Sequence, residues 1–366
     1  MLSYTSPVII ALDATPLTVS TGGVARYTAE LSRALAARFP ENQYSLIADR
    51  EFPMPAGSLP NLHRGASPSS FWDRRWWSRG VHQEMDRVHA ELFHGTDFSV
   101  PYLPLRPSVM TVHDLSPWLD KTWQPDSARI RRRTAMLLRM RVPAMLLTPT
   151  EAIRRAVIDR FRFPGDRVVA VPLAASQQFR PIPNPPPGAG REKPFFLFVG
   201  TLEPRKNIAV LIDAWREIRK TYDMDLAIAG RTREDFPPLA PEPGLRLLGA
   251  VPDEALSELY SEARAVVYPS LYEGFGLPVL EAMQCGAIVV TSRDPAIMEV
   301  AGDGAICVDV NDPHALARRL ASIAEAPHNF GPVREHALRR AKQFSWQRTA
   351  ELTQEVYAEA SRVFRA

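Results

Sequence analysis

Cysteine is nearly absent from this chain of 366 residues; Cys285 and Cys307 are the only two. Two thiols make neither a disulfide framework nor a thiolate metal site, so both read as small buried residues in a reducing compartment. Long apolar runs are missing too, and no stretch approaches the ~18–20 residues of a membrane-spanning helix. Met1–Pro7 lacks the basic-then-apolar pattern of a secretory leader. Large net charge is also lacking, since 44 Lys and Arg stand against 41 Asp and Glu, for a net +3. These absences point to a cytoplasmic globular protein without a membrane span.

The length suits two domains better than one core. Apolar residues at 45% and charged residues at 23% are ordinary for such a protein. The small net charge is spread unevenly. Residues 1–190 carry 23 basic and 16 acidic side chains, whereas residues 191–366 carry 21 and 25. The basic half holds a run of arginines from Arg129 to Arg141, and five of the seven tryptophans lie between Trp72 and Trp123. Two readings stand: a solvated basic helix beside a partly buried aromatic cluster, or peripheral contact with an anionic membrane surface, at the inner face of the cell membrane. No nucleic-acid-binding motif accompanies the charge, so nucleic acid is not an expected partner.

Hydrophobic patterning predicts an α/β protein. Short apolar runs read as buried parallel strands at 8–12, 44–48, 91–94, 108–113, 144–148 and 168–171, with helices between them at 24–37, 126–141 and 150–161. Residues 181–193 then hold five prolines and two glycines, the clearest linker in the chain. The alternation restarts with strands at 195–199, 225–229, 245–248, 265–268 and 287–291, and helices at 208–222, 253–263, 278–285 and 313–324. A last helix is expected over 345–364 with Ser345 as its N-cap. The expected organisation is a Rossmann-like domain over 1–183, a Pro/Gly-rich linker over 184–193, a second over 194–344, and a terminal helix over 345–366. Two such sheets imply a cleft lined by loops after the strand ends.

The chemistry concentrates in those loops. Glu273 and Glu281 bracket Gly274, Phe275, Gly276, Leu277 and Pro278, a glycine-rich turn that becomes a helix. Such a junction offers free amides and the positive end of a helix dipole, so it suits an anion. Carboxylates beside an anion site call for a ligand that also carries hydroxyls, and a nucleotide sugar carries both. Gly200 ends a strand, and adjacent Arg205 and Lys206 stand before the next helix, where cations oppose the dipole; a diphosphate explains that placement. Gly22 and Gly23 open a helix after Asp13, and His113–Asp114 end another strand. Either could face a sugar; alone, the glycines read as a turn and the histidine as a core residue.

Taken together, these stretches resemble the retaining glycosyltransferases of family 4, which have the GT-B fold. The resemblance is carried by Glu273–Glu281, Gly200–Asn207, Thr111–Leu115 and Gly22–Tyr27, with support from Leu248–Asp253 and Phe344–Thr349. It implies that Arg205 and Lys206 hold the donor diphosphate and that Glu281 receives the ribose hydroxyls. It implies that Glu273 lies by the transferred sugar, with the amides of Gly274, Phe275 and Gly276, and Leu277 beside them, around the donor. Val251 would face the base, Gly23 would approach the phosphates or sugar, and His113 would contact the sugar from the first domain. The first domain, 1–183, would bind the acceptor and the second, 194–344, the nucleotide-sugar donor, and the terminal helix would cross back to the first domain. No cofactor is implied. The overall pattern looks most like bacterial mannosyltransferases of surface polysaccharide synthesis. That suggests GDP-mannose as donor and a saccharide or polyprenyl-diphosphate-linked acceptor; the acceptor-binding residues stay unassigned. A nucleotide-sugar epimerase of the same fold and a non-catalytic nucleotide-sugar-binding protein are the alternatives. Asp223-Met-Asp225 spells a metal-binding pattern but falls at a strand entrance, away from the strand-end loops, so no required metal is expected.

Overall fold

The computed structural model describes residues 7–19, 22–66, 75–183 and 193–365. They form two compact units. The first takes the chain to Leu173 and regains it from Ser345 to the end; the second is Ala174–Phe344. The linker expected over 184–193 lies outside the described residues except at Lys193. Residues 174–183, expected in the first domain, belong to the second unit. There Gln284 donates to the carbonyls of Ser176 and Phe179, and the Phe179 ring packs edge-on against Tyr260.

The first unit is a sheet of seven parallel strands in the order β3-β2-β1-β4-β5-β6-β7. They are β1 Ile9–Asp13, β2 Gln43–Ile47, β3 Leu62–Arg64, β4 Leu92–Gly95, β5 Ser108–Thr111, β6 Met145–Thr148 and β7 Val168–Ala170. The second has six, ordered β10-β9-β8-β11-β12-β13. They are β8 Phe195–Val199, β9 Asp225–Ala229, β10 Leu245–Gly249, β11 Ala265–Tyr268, β12 Val289–Thr291 and β13 Ile306–Cys307. Central strands such as β8, β11 and β12 are buried along their whole length, as a sheet covered on both faces requires.

In each sheet the chain first winds outward from a central strand and then resumes on that strand's other side. The reversals fall between β1 and β4, and between β8 and β11. At such a point the flanking loops diverge and leave a crevice beyond the strand C-termini, where ligands bind in open α/β sheets.

β3 and β13 escape sequence patterning because they are only three and two residues long, and in β3 Leu62 alone is buried. The final helix, Trp346–Arg365, is capped by Ser345, whose hydroxyl accepts from the amide of Arg348 at 3.1 Å. It packs on the first unit. Thr349 donates to the Pro172 carbonyl at 2.7 Å, and Arg38 pairs with Glu351 at 2.8 Å. Beneath it, His94 bridges Tyr357 (2.7 Å) and Thr111 (2.8 Å), and Tyr27 shares the Thr111 hydroxyl at 2.9 Å. Burial, with neighbouring His113, holds His94 neutral and lowers its pKa to about 3.

Part of the tryptophan-rich stretch, residues 71–74, lies outside the described residues. Of the others, Trp76 is buried and Trp77, Trp118 and Trp123 are half-buried. Trp118 packs against Phe98 and Phe161. Trp77 likewise packs edge-on against Phe93.

Candidate active site

At the reversal of the second sheet, two loops meet. Gly200 follows β8 and Gly230 follows β9, both at φ +153°. A Cβ on Gly230 would stand 1.9 Å from the Gly200 carbonyl oxygen, so backbone packs directly on backbone here. The chain then turns through Pro204–Lys206 and enters the helix Ile208–Ile218 by way of Asn207, itself left-handed at φ +56°. This turn drives Arg205 and Lys206 inward. Opposite, β11 ends at Tyr268, and a loop runs to Gly276, left-handed at φ +88°, which opens the helix Leu277–Gln284.

Glu273 joins the loops. One oxygen accepts from Lys206 Nζ at 2.5 Å and the other from Arg205 Nη1 at 2.9 Å. Arg205 Nη1 also donates to the Tyr272 carbonyl (3.0 Å), while its Nε lies 2.7 Å from Glu203. Lys206 donates to the Tyr268 hydroxyl at 2.6 Å. Lys206, Glu203 and Glu273 are each at most 6% exposed. Burial alone would raise the Glu273 pKa, but Arg205 and Lys206 outweigh it and hold it at about 2. Burial, then Arg205, pushes the Lys206 ammonium below its ordinary value, against Glu273. The result is a pre-paired, nearly dry cation cluster whose tips are fixed by carboxylates.

Asp294 braces Glu273 from behind. Its Oδ2 accepts from the Glu273 amide at 3.3 Å, while Oδ1 caps the helix Pro295–Ala301 through Ala296 and Ile297. Burial, opposed by the Ile297 amide, raises its pKa to about 6. Sequence reasoning missed Asp294, Tyr268 and Glu203 as site members. The Asp-Pro pair at 294–295 is a legible helix start, but its contact with Glu273 spans 21 residues.

The other expected residues are distributed around this cluster. Glu281 is 2% exposed and accepts from the Tyr260 hydroxyl at 3.0 Å. Phe275 is buried edge-on against Phe344, so its ring is a packing anchor. Gly274 and Gly276 are buried, and Leu277 is half-buried. Val251 is half-buried just past β10, two strands from β8 and so roughly 10 Å along the strand-end edge. Asp223 is 77% exposed and pairs with Lys193 at 2.9 Å, while Asp225 opens β9.

In the first unit Gly23 is exposed and begins the helix Gly23–Arg38; a Cβ there would meet nothing within 4 Å. His113 is half-buried past β5, and its Nε2 donates to the Thr96 carbonyl at 2.7 Å. That bond leaves Nδ1 as the acceptor of a neutral ring. Burial lowers the pKa of His113 against the pull of Thr96 and Asp114, which favours the neutral form.

Two family models match the chain in tandem: Glycosyltransferase Family 4 over residues 21–179 and Glycosyl transferases group 1 over residues 184–344. The O-antigen chain mannosyltransferase B of Escherichia coli is 34% identical over 284 residues, 73% of this chain and 74% of that protein. The serotype-specific mannosyltransferase WbdA of Escherichia coli is 29% identical over 67% of this chain, which spans 32% of that longer protein. Among solved structures, sucrose-phosphate synthase from Thermosynechococcus elongatus matches with TM-score 0.76 at 18% identity, covering 96% of this chain and 98% of that one.

Proposed function

We propose, from the premise that this chain belongs to the family 4 glycosyltransferases and has their GT-B fold, that it transfers mannose from GDP-mannose with retention of configuration. The acceptor is a saccharide or lipid-linked oligosaccharide of cell-surface polysaccharide synthesis. The observation that carries this reading is the buried Arg205–Lys206–Glu273 cluster at the strand reversal of the second sheet.

Departure of the nucleoside diphosphate builds negative charge on its terminal phosphate. Arg205 and Lys206 stabilise that charge, with no metal required, because their tips are already fixed and desolvated. Glu273 sets their positions. Its carboxylate also accepts from a sugar hydroxyl. Amides of the Gly274–Gly276 turn approach the sugar and phosphate, Glu281 receives the ribose hydroxyls, and Val251 lies by the base. From the first unit, the neutral Nδ1 of His113 accepts from a sugar hydroxyl, and the missing Cβ of Gly23 leaves room for the donor. The relationship to O-antigen chain mannosyltransferase B favours mannose over other hexoses.

Peripheral contact with an anionic membrane belongs to the same reading. No helix among the described residues is long and apolar enough to cross a membrane. The helix Ala128–Arg139 and its C-terminal extension expose Arg129, Arg132, Met136, Arg139 and Met140 in one stripe, with Met136 43% and Met140 66% exposed. Cations with apolar tips and no acid between them suit lipid headgroups. Co-sedimentation with anionic but not neutral vesicles is the expected result.

The test is a thermal-shift screen against GDP-, UDP-, ADP- and dTDP-sugars, followed by turnover in EDTA. Stabilisation by GDP-mannose and undiminished turnover in EDTA support the reading. Stabilisation by UDP-sugars alone contradicts the donor, and activity restored only by Mg²⁺ or Mn²⁺ contradicts metal independence.

A further inference from the structure

Glu281 lies on the helix Leu277–Gln284 and Tyr260 on the helix Asp253–Glu262, and the two helices pack together. Both side chains are buried, and the Tyr260 hydroxyl donates to Glu281 Oε2 at 3.0 Å. The buried ring of Phe179 packs edge-on against Tyr260, with centroids 5.9 Å apart. The segment that carries Phe179 is strapped to both helices. Gln284, on the helix of Glu281, donates to the carbonyls of Ser176 (2.8 Å) and Phe179 (2.6 Å). On the helix of Tyr260, Ser257 donates to the Gln178 carbonyl at 3.1 Å. Asp253 accepts from the Gln178 side-chain amide at 2.6 Å, and the Ser261 hydroxyl accepts from the Ile182 amide at 3.2 Å.

The last torsion of a glutamate is broad, without sharp staggered wells, so torsional preference alone does not set the plane of its carboxylate. A phenol has one proton and gives it along one direction. A bond from a buried phenol therefore orients the carboxylate, provided that the ring is itself held. Here Phe179 packs on the ring, and one stretch of chain ties the helix of the phenol to the helix of the carboxylate. Phenylalanine would fill nearly the same volume, so packing does not account for the hydroxyl. A ribose presents two neighbouring hydroxyls, and a carboxylate accepts from both only when its plane lies along them. A preset plane removes an ordering step from binding.

We propose that Tyr260 is a positioning residue for nucleoside recognition: it holds the Glu281 carboxylate in the plane that a ribose diol requires, and Phe179 holds Tyr260. The proposal rests on the donor reading, in which Glu281 receives the ribose hydroxyls. It makes selectivity for ribonucleotide over deoxyribonucleotide donors a property that Tyr260 exerts through Glu281.

The test is a calorimetric titration of the wild type and Tyr260→Phe with GDP and with 2′,3′-dideoxy-GDP, which lacks both hydroxyls. Wild type is expected to prefer GDP by at least about tenfold. Tyr260→Phe should weaken GDP by about fivefold and change the dideoxy analogue by less than about twofold, so that the preference collapses. Equal weakening of both ligands, the outcome of a merely structural role, overturns the proposal, as does no weakening of either. If Tyr260→Phe does not fold, Phe179→Leu, which keeps the hydroxyl, decides by the same criterion: a loss confined to GDP supports the proposal, and an equal loss or none overturns it. Wild type binding both ligands alike overturns the ribose role of Glu281 and the proposal with it. Failure of GDP to bind wild type overturns the guanosine assignment alone, and the same comparison is then read with UDP and 2′,3′-dideoxy-UDP. Binding of neither diphosphate overturns the donor reading and the proposal together.

Discussion

Glu273 is buried, yet ionised, because two cations replace the water it lost. Removing its charge leaves Lys206 and Arg205 without their shared counter-charge. Glu273→Gln is therefore expected to destabilise the protein by about 3–5 kcal/mol at pH 7, measured by denaturant unfolding. The sign with pH follows from a depressed carboxylate. Its contribution is complete above the ordinary value of 4.5 and is lost as pH falls toward about 2, so the gap between wild type and Glu273→Gln narrows through that window. Arg205→Ala and Lys206→Ala should each lower kcat by roughly 10²-fold if they stabilise the departing diphosphate. Loss of stability with unchanged kcat would assign them a structural role instead. The three residues were legible in sequence because each lies in a local pattern at a loop-to-helix junction. Their direct contact was not, since Arg205 and Glu273 are 68 residues apart and only the sheet brings β8 beside β11.

The strand-end loops owe their shape to glycine and aspartate. Gly230→Ala would force a Cβ into the Gly200 carbonyl, in a backbone conformation that side chains rarely adopt. A loss of about 3 kcal/mol or more is expected in denaturant unfolding, whereas Gly23→Ala, facing open space, should leave stability unchanged while weakening donor affinity. Asp294→Ala removes a helix cap and the brace on Glu273, with an expected loss of about 1–2 kcal/mol. Long apolar strands such as Phe195–Val199 and Asp225–Ala229 were readable to the residue, because a sheet buried on both faces leaves a continuous apolar run. The helices Pro295–Ala301 and Gly331–Ala341 were not read from the pattern, although each starts at or beside a proline. Residues 174–183 form no strand or helix, so patterning could not assign them; contacts with Gln284, Tyr260, Asp253, Ser257 and Ser261 tie them to the second unit.

For the whole molecule, two sheets share one winding, and the reversal of the second gathers a paired cation cluster. The C-terminal helix completes the first unit through the buried chain of Tyr357, His94, Thr111 and Tyr27. Sequence patterning identified the helix but not this chain, whose ends are more than 300 residues apart. Tyr357→Phe leaves the His94 Nδ1 unpaired in a buried site and should cost about 1–3 kcal/mol in thermal or denaturant unfolding. The most direct measurement of the central claim is transfer from GDP-mannose to a saccharide acceptor in EDTA, with the new anomeric centre read by NMR. The account predicts an α-linked product and a rate lowered roughly 10²-fold by Lys206→Ala. A β-linked product, or no release of GDP with any acceptor, would contradict it.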